Sequence, residues 1–307
     1  MKILFVSSGN NQYGISPIVK NQGNSLEKEG LEVEYFTIKK GGMKGYLSAL
    51  FQLRRYLKQS SYDIVHAHYW LSGIIAALAG AKPLVVSLMG DDVKANGFFR
   101  FIVSIFYYLF WDKTIVKSQD MYDTFGKKGV VVIPNGVDMQ KFRPISKKRA
   151  LEVTGWDEKK KHILFTANPK RFVKNFALAK EAFELLDDSS LELHCLVDIP
   201  NEKVPFYYNS ADVVLMTSHW EGSPNAIKEA MACGIAIVST DVGDVKDLTQ
   251  NTKGCYIAQA NAKDVAKKIQ KALAMNTRTT GPKDISKLSS QNIAKKIIAL
   301  YESIKGK

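Results

Sequence analysis

Residues 220–243 read W-E-G-S-P-N-A-I-K-E-A-M-A-C-G-I-A-I-V-S-T-D-V-G, and they predict a loop, a helix, a turn and a buried strand. Ser223 is the predicted N-cap. Pro224 is then the first helical residue, where its missing N–H leaves no helical hydrogen bond unmade. Gly234 ends the predicted helix, and the apolar run 235–240 forms the strand. A buried strand directly after a helix is typical of a parallel α/β sheet.

The N-terminal end of this helix is suited to bind phosphate. Free backbone N–H groups and the helix dipole favour an anion there, and Gly222 lets a ligand approach the backbone closely. Glu221 precedes the helix and Glu229 lies within it, so each carboxylate is placed to accept hydrogen bonds from a sugar on either side of a diphosphate. The alternative is an ordinary surface helix with two solvated acids. The Gly-Ser-Pro-Asn sequence between the acids favours the nucleotide-sugar site.

The segment E-G-S-P-N-A-I-K-E resembles the paired-glutamate signature of retaining glycosyltransferases of the GT-B fold, in the large family four (glycosyl transferases group 1). The sequence I-P-N-G-V-D-M-Q-K-F, residues 133–142, is similar to a second signature of that family. The resemblance implies that Glu221 contacts the donor sugar and that Glu229 binds the nucleotide ribose. It also implies that the loop and the first helical turn hold the distal phosphate, which gives a donor-binding set of Gly222, Ser223, Pro224, Asn225 and Ala226.

A basic loop supplies a predicted clamp for the diphosphate. Residues 167–175, A-N-P-K-R-F-V-K-N, resemble the family pattern G-R-x-x-x-x-K-G. Lys174 matches the lysine, whereas Arg171 stands nearer to it than the pattern expects. The alternative is a basic solvated loop. Because no D-x-D motif occurs, we expect catalysis without a metal and no cofactor, with Lys174, Arg171 and the helix amides stabilising the leaving diphosphate.

The first half of the chain contains four further candidate residues. Gly14 follows the first predicted strand in a loop that resembles the family's glycine loop, and the resemblance implies that Gly14 is a donor-binding residue facing the donor phosphate. The spacing is not G-x-G-x-x-G, and a tight turn is the alternative. His66 and His68 share one face of the predicted strand 63–68, and His68 is expected on the acceptor side. The alternative is that both histidines are hydrogen-bonded structural residues. Two further acceptor-side residues are expected from family patterns, Asp92 and Asn135.

The alternation of strands and helices predicts two doubly wound parallel sheets. At 307 residues the chain has the length of two such domains. We expect GT-B architecture with two Rossmann-like domains facing across a cleft. The N-terminal acceptor domain would cover 1–145, the C-terminal donor domain 146–285, and a final helix, 286–307, would cross back to the first domain. The polar stretch 144–149 is the expected hinge.

Charge is distributed unevenly along the chain. Residues 1–150 contain 21 Lys and Arg against 11 Asp and Glu, a net charge of +10, whereas residues 151–307 contain 22 against 19, a net charge of +3. No nucleic-acid motif occurs, so an anionic lipid or acidic substrate is the expected partner of the basic half. The apolar run 98–111 predicts either a buried helix or one that also exposes an aromatic edge to a bilayer.

These patterns together predict an enzyme. We expect a retaining glycosyltransferase of the hexosyltransferase type, which moves a sugar from a nucleoside diphosphate donor to a glycan or lipid-linked acceptor in cell-surface polysaccharide or glycolipid synthesis. Three unpatterned cysteines and the lack of a signal peptide predict a cytoplasmic protein. The basic first half and the apolar run 98–111 lead us to expect peripheral contact with the inner face of the cytoplasmic membrane. The alternatives are a catalytically weak nucleotide-sugar binding protein, or another GT-B enzyme such as an epimerase or phosphorylase.

Overall fold

Two units make up the protein in a computed structural model, which describes residues 1–9, 14–39, 42–90, 97–275 and 277–305. The first unit comprises Met1–Gly136 and Ser290–Lys307, and the second comprises Val137–Ser289. Each unit is a parallel sheet with flanking helices, in agreement with the two doubly wound sheets predicted from the sequence. Within the described residues, no helix combines the length and the apolar character that crossing a bilayer requires.

The first unit contains a six-stranded sheet in the order β2-β1-β3-β4-β5-β6. Its strands are β1 Lys2–Ser8, β2 Glu32–Ile38, β3 Ile64–His68, β4 Leu84–Ser87, β5 Lys113–Val116 and β6 Val131–Val132. The helices between them are α1 Pro17–Lys28, α2 Gly42–Gln59, α3 Trp70–Leu78, α4 Gly97–Leu109 and α5 Gln119–Phe125. The central strands are buried along almost their whole length because helices cover both faces of the sheet, and they include a few polar residues such as His66 and Ser87.

The second unit contains a five-stranded sheet in the order β11-β10-β9-β7-β8. Its strands are β7 Lys161–Phe165, β8 Leu191–Cys195, β9 Val213–Met216, β10 Ala236–Thr240 and β11 Cys255–Ala258. Its helices are α6 Lys147–Thr154, α7 Phe176–Glu184, α8 Val204–Ser210, α9 Asn225–Cys233, α10 Val245–Thr249, α11 Ala262–Leu273 and α12 Gly281–Asp284. All strand pairs are parallel, so their carboxyl ends meet at one edge of the sheet.

The last helix, α13 Ser290–Glu302, packs within the first unit. Tyr301 is fully buried, and its hydroxyl lies 2.6 Å from Nδ1 of His66. Gly136 lies so close to this helix that a Cβ there would stand 2.6 Å from the Cα of Ser290. The Asn-Gly turn of the I-P-N-G-V-D signature therefore has a packing role at the start of α13.

Two predictions about the segments that join the units differ from the structure. The expected hinge 144–149 instead begins α6, and it is held in the second unit by hydrogen bonds from Ile145 N–H to Asn209 Oδ1 (2.8 Å) and from Lys147 Nζ to Asp212 Oδ1 (2.6 Å). The division between the units falls after Gly136, ahead of the expected boundary at 145. The final helix predicted over 286–307 is preceded by a short 3-10 turn, Ser286–Leu288, and α13 begins only at Ser290.

Candidate active site

The candidate active site lies at the carboxyl edge of the second sheet. Lys174 ends a short 3-10 turn, Phe172–Lys174, that follows β7, and Glu221 follows β9. Two hydrogen bonds hold the two loops together: His219 N–H donates to the carbonyl of Val173 (2.9 Å), and Thr217 Oγ1 donates to that of Asn175 (2.9 Å). Ligands of open α/β sheets bind beyond the carboxyl ends of the strands, which is where these loops meet.

Lys174 and Glu221 form an ion pair in this site. The lysine Nζ lies 2.5 Å from Glu221 Oε1, and Ser218 Oγ donates to the same oxygen at 2.7 Å. Both charged side chains are largely shielded, with exposed fractions of 17% and 14%. A shielded pair whose carboxylate accepts from a second donor, Ser218, has little conformational freedom, so the two charges are positioned before a ligand arrives.

The helix after Glu221 begins one residue later than the sequence predicts. Pro224 has extended backbone angles (φ −70°, ψ 121°) and is the N-cap, so α9 starts at Asn225. Ser223 does not cap the helix, because its hydroxyl donates to Asp244 Oδ2 at 2.5 Å instead. The first N–H groups of α9 therefore have no side-chain cap. The Oδ1 atom of Asn225 is also buried without a hydrogen-bond partner among the described residues.

Gly243 allows a second loop to press against the Glu221 loop. Its φ of +58° lies in the left-handed region, and a Cβ there would stand 2.3 Å from the carbonyl oxygen of Gly222 and 3.1 Å from that of Glu221. A side chain cannot occupy that space without displacing backbone. The position of Gly222 and Glu221 thus depends on a glycine that follows β10, a neighbouring strand.

Glu229 lies within α9 and is a partly buried carboxyl group. Tyr208 donates a hydrogen bond of 3.0 Å to its Oε2 atom. Burial raises the pKa of Glu229 to about 7, although Tyr208, Lys141 and Lys228 act in the opposite direction. Lys141 is also partly buried, and burial lowers its pKa despite the attraction of Glu229 and Glu202. The ribose site expected from the sequence therefore includes a cation that the sequence analysis missed, although Lys141 lies in the I-P-N-G-V-D-M-Q-K-F signature.

The exposed rim of this site consists of Arg171 and three aromatic side chains, those of Phe172, His219 and Trp220. Arg171 precedes the 3-10 turn and is exposed, so the structure does not place it in the Lys174–Glu221 pair. Phe172 is 77% exposed, and its ring centroid lies 5.0 Å from that of His219 and 6.4 Å from that of Trp220. A hydrophobic rim around a charged pair is suited to contact the apolar face of a sugar ring or a base.

Four candidate residues belong to the first unit, and three of them lie in the described part. Gly14 is exposed with a φ of +75°. His68 is buried against Phe5 at the end of β3, and burial together with the charge of Lys117 lowers its pKa to about 3. Asn135 is buried in the loop after β6. Asp92 lies outside the described residues.

The structure places the two histidines in different surroundings. His66 is a hydrogen-bonded core residue, with its Nε2 atom 2.8 Å from Ser87 Oγ. His68 stacks on His66, with ring centroids 4.4 Å apart, but its Nε2 atom is buried without a partner among the described residues. The structural alternative therefore describes His66 well. An acceptor-side role of His68 stays a prediction.

Comparison with solved structures defines the class of fold. An Anabaena protein, HepE, solved in complex with UDP-glucose, superposes with a TM-score of 0.75 at 16% sequence identity, over 99% of this chain and 100% of that chain. The sucrose-phosphate synthase of Thermosynechococcus elongatus superposes with a TM-score of 0.77 at 16% identity, over 98% of each chain. The two parallel sheets with their helices are thus the two-domain Rossmann-like fold of GT-B glycosyltransferases.

Matches to family models and to relatives identify the family within this fold. The model described as Glycosyltransferase Family 4 matches residues 14–141, and the one described as Glycosyl transferases group 1 matches residues 188–292. The chain belongs to the family 4 glycosyltransferases of the GT-B fold. It is 24% identical to the Escherichia coli UDP-Gal:alpha-D-GlcNAc-diphosphoundecaprenol alpha-1,3-galactosyltransferase (84% of this chain, 76% of the relative). It is also 24% identical to the D-inositol 3-phosphate glycosyltransferase of Nocardiopsis dassonvillei (69% and 62%).

Proposed function

We propose that this chain is a retaining glycosyltransferase, which transfers a sugar from a nucleoside diphosphate donor to a lipid-linked or otherwise anionic glycan acceptor. One observation carries the proposal: the shielded Lys174–Glu221 ion pair next to the uncapped N-terminal end of α9. A cation and free helix amides suit the diphosphate, and a carboxylate suits the hydroxyls of the transferred sugar. The Escherichia coli relative is named for a UDP-sugar donor and a diphosphoundecaprenol acceptor, which supports the same classes of substrate here.

The proposed reaction needs no side-chain nucleophile. The acceptor hydroxyl attacks the anomeric carbon on the face from which the diphosphate departs, and an oxygen of the departing phosphate takes the hydroxyl proton. Lys174 and the first amides of α9 stabilise the negative charge that develops on the diphosphate. Glu221 orients the sugar by accepting its hydrogen bonds, and Glu229 does the same for the ribose. Arg171 is exposed and available to the outer phosphate.

We further propose that this stabilisation requires no divalent ion. A diphosphate that enters the site competes with Glu221 for Lys174. The lysine can therefore exchange its carboxylate partner for the diphosphate, and no additional cation is needed. The uncapped amides of α9 provide a second positive electrostatic element in the same loop. Lys174 and these amides together would stabilise the diphosphate charge, as a metal ion does in enzymes whose donor diphosphate is held through an Asp-x-Asp motif.

The acceptor proposal draws on the outer surface of the first unit. Exposed residues of α2 recur at helical spacing and combine apolar with basic side chains: Leu47, Phe51, Arg54, Arg55 and Lys58. Exposed residues of α4 recur in the same way and are apolar or aromatic: Phe101, Ile105, Tyr108 and Leu109. Lys127 Nζ lies 5.0 Å from the centroid of the Tyr108 ring. We call these two rows the α2/α4 face.

The α2/α4 face has the composition of a surface that docks on an anionic bilayer. Helices α2, α3 and α4 pack side by side on one face of the sheet, where their buried residues share one core. The outward rows therefore belong to the same side of the unit. Apolar side chains that enter the acyl boundary next to basic side chains that meet the headgroups are typical of interfacial helices. A cytoplasmic protein that contacts the inner membrane face in this way meets a lipid-linked acceptor directly.

A transfer assay with stereochemical analysis tests the proposed function. UDP- and GDP-sugars are first screened by thermal shift, since a ligand of the folded state raises the melting temperature. The selected donor is then incubated with a lipid-diphosphate saccharide, and the anomeric configuration of the product is determined by NMR. We expect the donor configuration to be kept. An inverted product would contradict retention, and an epimerised donor without transfer would favour the epimerase alternative. Donor binding without turnover would favour a nucleotide-sugar binding protein.

A further inference from the structure

A second group of polar side chains lies in the second unit, on the neighbouring strands β7 and β8. His162 on β7 is in register with Glu192 on β8, and His194 follows two residues later on the same face of β8. His162 Nδ1 lies 3.1 Å from His194 Nε2 and 3.6 Å from Glu192 Oε2, and His194 Nε2 lies 3.4 Å from the same carboxylate oxygen. Three possible metal ligands thus form a nearly equilateral triangle.

We propose that His162, Glu192 and His194 bind a divalent transition metal of the zinc class. Zinc binds imidazole nitrogen and carboxylate oxygen at about 2.0–2.2 Å, so two donors on a tetrahedral ion lie about 3.3–3.6 Å apart. The three sides of the observed triangle, 3.1, 3.4 and 3.6 Å, fall close to that spacing. Two imidazoles and one carboxylate are a donor set that suits zinc better than calcium or magnesium.

Neighbouring groups already orient the three ligands. A carbonyl oxygen only accepts hydrogen bonds, so His162 donates its Nε2–H to the carbonyl of Asp157 at 2.9 Å and turns the lone pair of Nδ1 toward the triangle. Lys160 binds Glu192 Oε1 at 2.8 Å, which leaves Oε2 as the inward oxygen. The His194 ring stacks on Trp156, with centroids 3.7 Å apart and planes 9° apart. Such outer contacts are characteristic of protein metal sites.

A hydrogen bond joins two of the three ligand atoms, His162 Nδ1 and His194 Nε2. His194 Nε2–H is the donor to His162 Nδ1, because the single ring proton of neutral His162 is on Nε2 and is donated to the carbonyl of Asp157. When the ion binds, the His194 proton moves from Nε2 to Nδ1, and both Nε2 of His194 and Nδ1 of His162 coordinate.

The position of the triangle points to a structural ion. His162 is the second residue of β7, whereas Lys174 follows the other end of that strand. The ion would join β7, β8 and the segment that carries Trp156 and Asp157. The side chain of His162 is fully buried, whereas those of His194 and Glu192 are 22% and 31% exposed, so an ion and a water as fourth ligand have access from solvent.

Metal analysis of the whole chain tests the proposal. Protein stripped with a chelator is incubated with Zn²⁺ or Co²⁺ and desalted, and its metal content and the visible spectrum of bound Co²⁺ are recorded. We expect one ion per chain with the absorption of tetrahedral Co²⁺. At an ion concentration of 100 times the dissociation constant, the ratio of folded to unfolded protein rises about 100-fold, which appears as a higher melting temperature.

Three variants locate the ion. His194→Phe keeps a ring for stacking on Trp156 but has no ligand nitrogen, and Glu192→Gln keeps the shape of the side chain without its charge. Both should lose stoichiometric metal and the metal-dependent rise in melting temperature. His219→Gln removes a histidine outside the triangle and should keep both. The proposal is overturned if the native chain binds neither ion, or if the first two variants retain the native metal content.

Discussion

At the residue scale, the burial of Glu229 affects its proposed contact with the ribose through the pKa of its carboxyl group. A ribose hydroxyl donates to a carboxylate more strongly than to a neutral carboxylic acid, so the charged form of Glu229 is the better partner. Because burial raises the pKa of Glu229 to about 7, a large fraction of this group is protonated just below neutral pH. Tyr208 occupies one lobe of Oε2 and leaves the carboxyl group able to accept further bonds.

We predict that nucleotide binding weakens in acid through Glu229. The affinity of the native chain for UDP should fall by up to about tenfold per pH unit below pH 7. Glu229→Gln should bind UDP about 1.5–3 kcal/mol more weakly at pH 8 and lack this part of the pH dependence. Isothermal titration calorimetry between pH 6 and 8 measures both effects. Titration of the nucleotide phosphate is common to all variants, and the exposed Glu202→Gln serves as control; equal pH profiles would contradict the ribose assignment.

The same carboxyl group should reduce stability at alkaline pH. The unfolded chain releases the Glu229 proton near pH 4.5, whereas the folded protein keeps it to about pH 7. Between these values the folded state binds more protons, so its stability decreases as pH rises. We predict that Glu229→Gln is about 1–3 kcal/mol more stable than the native chain at pH 8 and gains less at pH 5. Urea unfolding at the two pH values measures this, and a loss of stability at pH 8 would contradict the raised pKa.

Lys174 carries the proposed stabilisation of the leaving group. Loss of one preorganised electrostatic stabiliser typically lowers turnover by on the order of a hundredfold to a thousandfold, and we predict this for Lys174→Ala. Steady-state transfer rates measure the effect. Lys170→Ala, an exposed lysine of the same loop, is the matched control and should keep the native rate.

The proposed independence from metal is tested in the same assay. EDTA should leave turnover of the native chain unchanged while the protein stays folded, as monitored by circular dichroism. A rate that disappears with EDTA and returns with magnesium or manganese would require a metal at the diphosphate. If EDTA lowers the rate only to the extent that it unfolds the protein, the ion it removes would be the structural ion proposed at the His162–Glu192–His194 triangle.

At the scale of elements, the loop before α9 shows what sequence patterns predict well and what they miss. The order loop, helix, turn, strand follows from local residue types and is observed. The prediction that Ser223 caps α9 was wrong, because its hydroxyl donates to Asp244, which is 21 positions away in the sequence. A capping pattern describes only the nearest residues, and a carboxylate brought in by the next strand competes for the hydroxyl.

The loop after β10 should control the position of Glu221. Gly243→Ala places a methyl group where the carbonyl of Gly222 now lies, so we predict loss of most turnover as Glu221 is displaced. Gly155→Ala is a matched control, because Gly155 also has a positive φ, +71°, but a Cβ there meets nothing within 4 Å. Gly155→Ala should lose about 1 kcal/mol of stability from backbone strain, and Gly243→Ala should lose more, because its methyl group also displaces the backbone of Gly222. Transfer rates and urea unfolding separate the two effects; equal rates would show that the contact does not position Glu221.

At the scale of the whole molecule, periodic apolar runs were sufficient to predict both sheets. Local patterns could not identify contacts between distant residues. His66 reaches Tyr301 in the last helix, and His162 reaches His194 on the neighbouring strand; neither partner is marked by spacing in the sequence. The expected hinge was wrong for the same reason, because Lys147 finds Asp212 only after the second unit has folded.

Helix α4 combines both predictions made for its apolar run. Val103 is buried in the core, whereas Phe101, Tyr108 and Leu109 are 64%, 68% and 66% exposed. An aromatic edge is therefore present on a helix that also packs inward. Large exposed apolar side chains are uncommon in rows on a soluble surface, and basic residues of α2 accompany them on the same side of the sheet. The net charge of +10 on residues 1–150 adds attraction to an anionic surface.

We predict that the α2/α4 face docks on anionic vesicles. Each basic residue near such a bilayer contributes about 1 kcal/mol, so a few of them with inserted apolar side chains give reversible binding. Co-sedimentation with phosphatidylglycerol vesicles should increase with anionic lipid content. It should decrease with salt, because the Debye length shortens from about 30 Å at 0.01 M to about 8 Å at 0.15 M.

Variants of exposed residues assign the binding to this face. The double variant Phe51→Ser, Leu109→Ser removes one exposed apolar side chain from each helix, and Arg54→Gln, Arg55→Gln removes two charges. The apolar variant should weaken binding at every salt concentration, whereas the charge variant should weaken it mainly at low salt. Leu185→Ser changes an exposed leucine of the second unit and should bind as the native chain does. A native chain that stays in the supernatant with strongly anionic vesicles at low salt would refute membrane docking, and the proposed anionic acceptor would then have to be one that reaches the enzyme in solution.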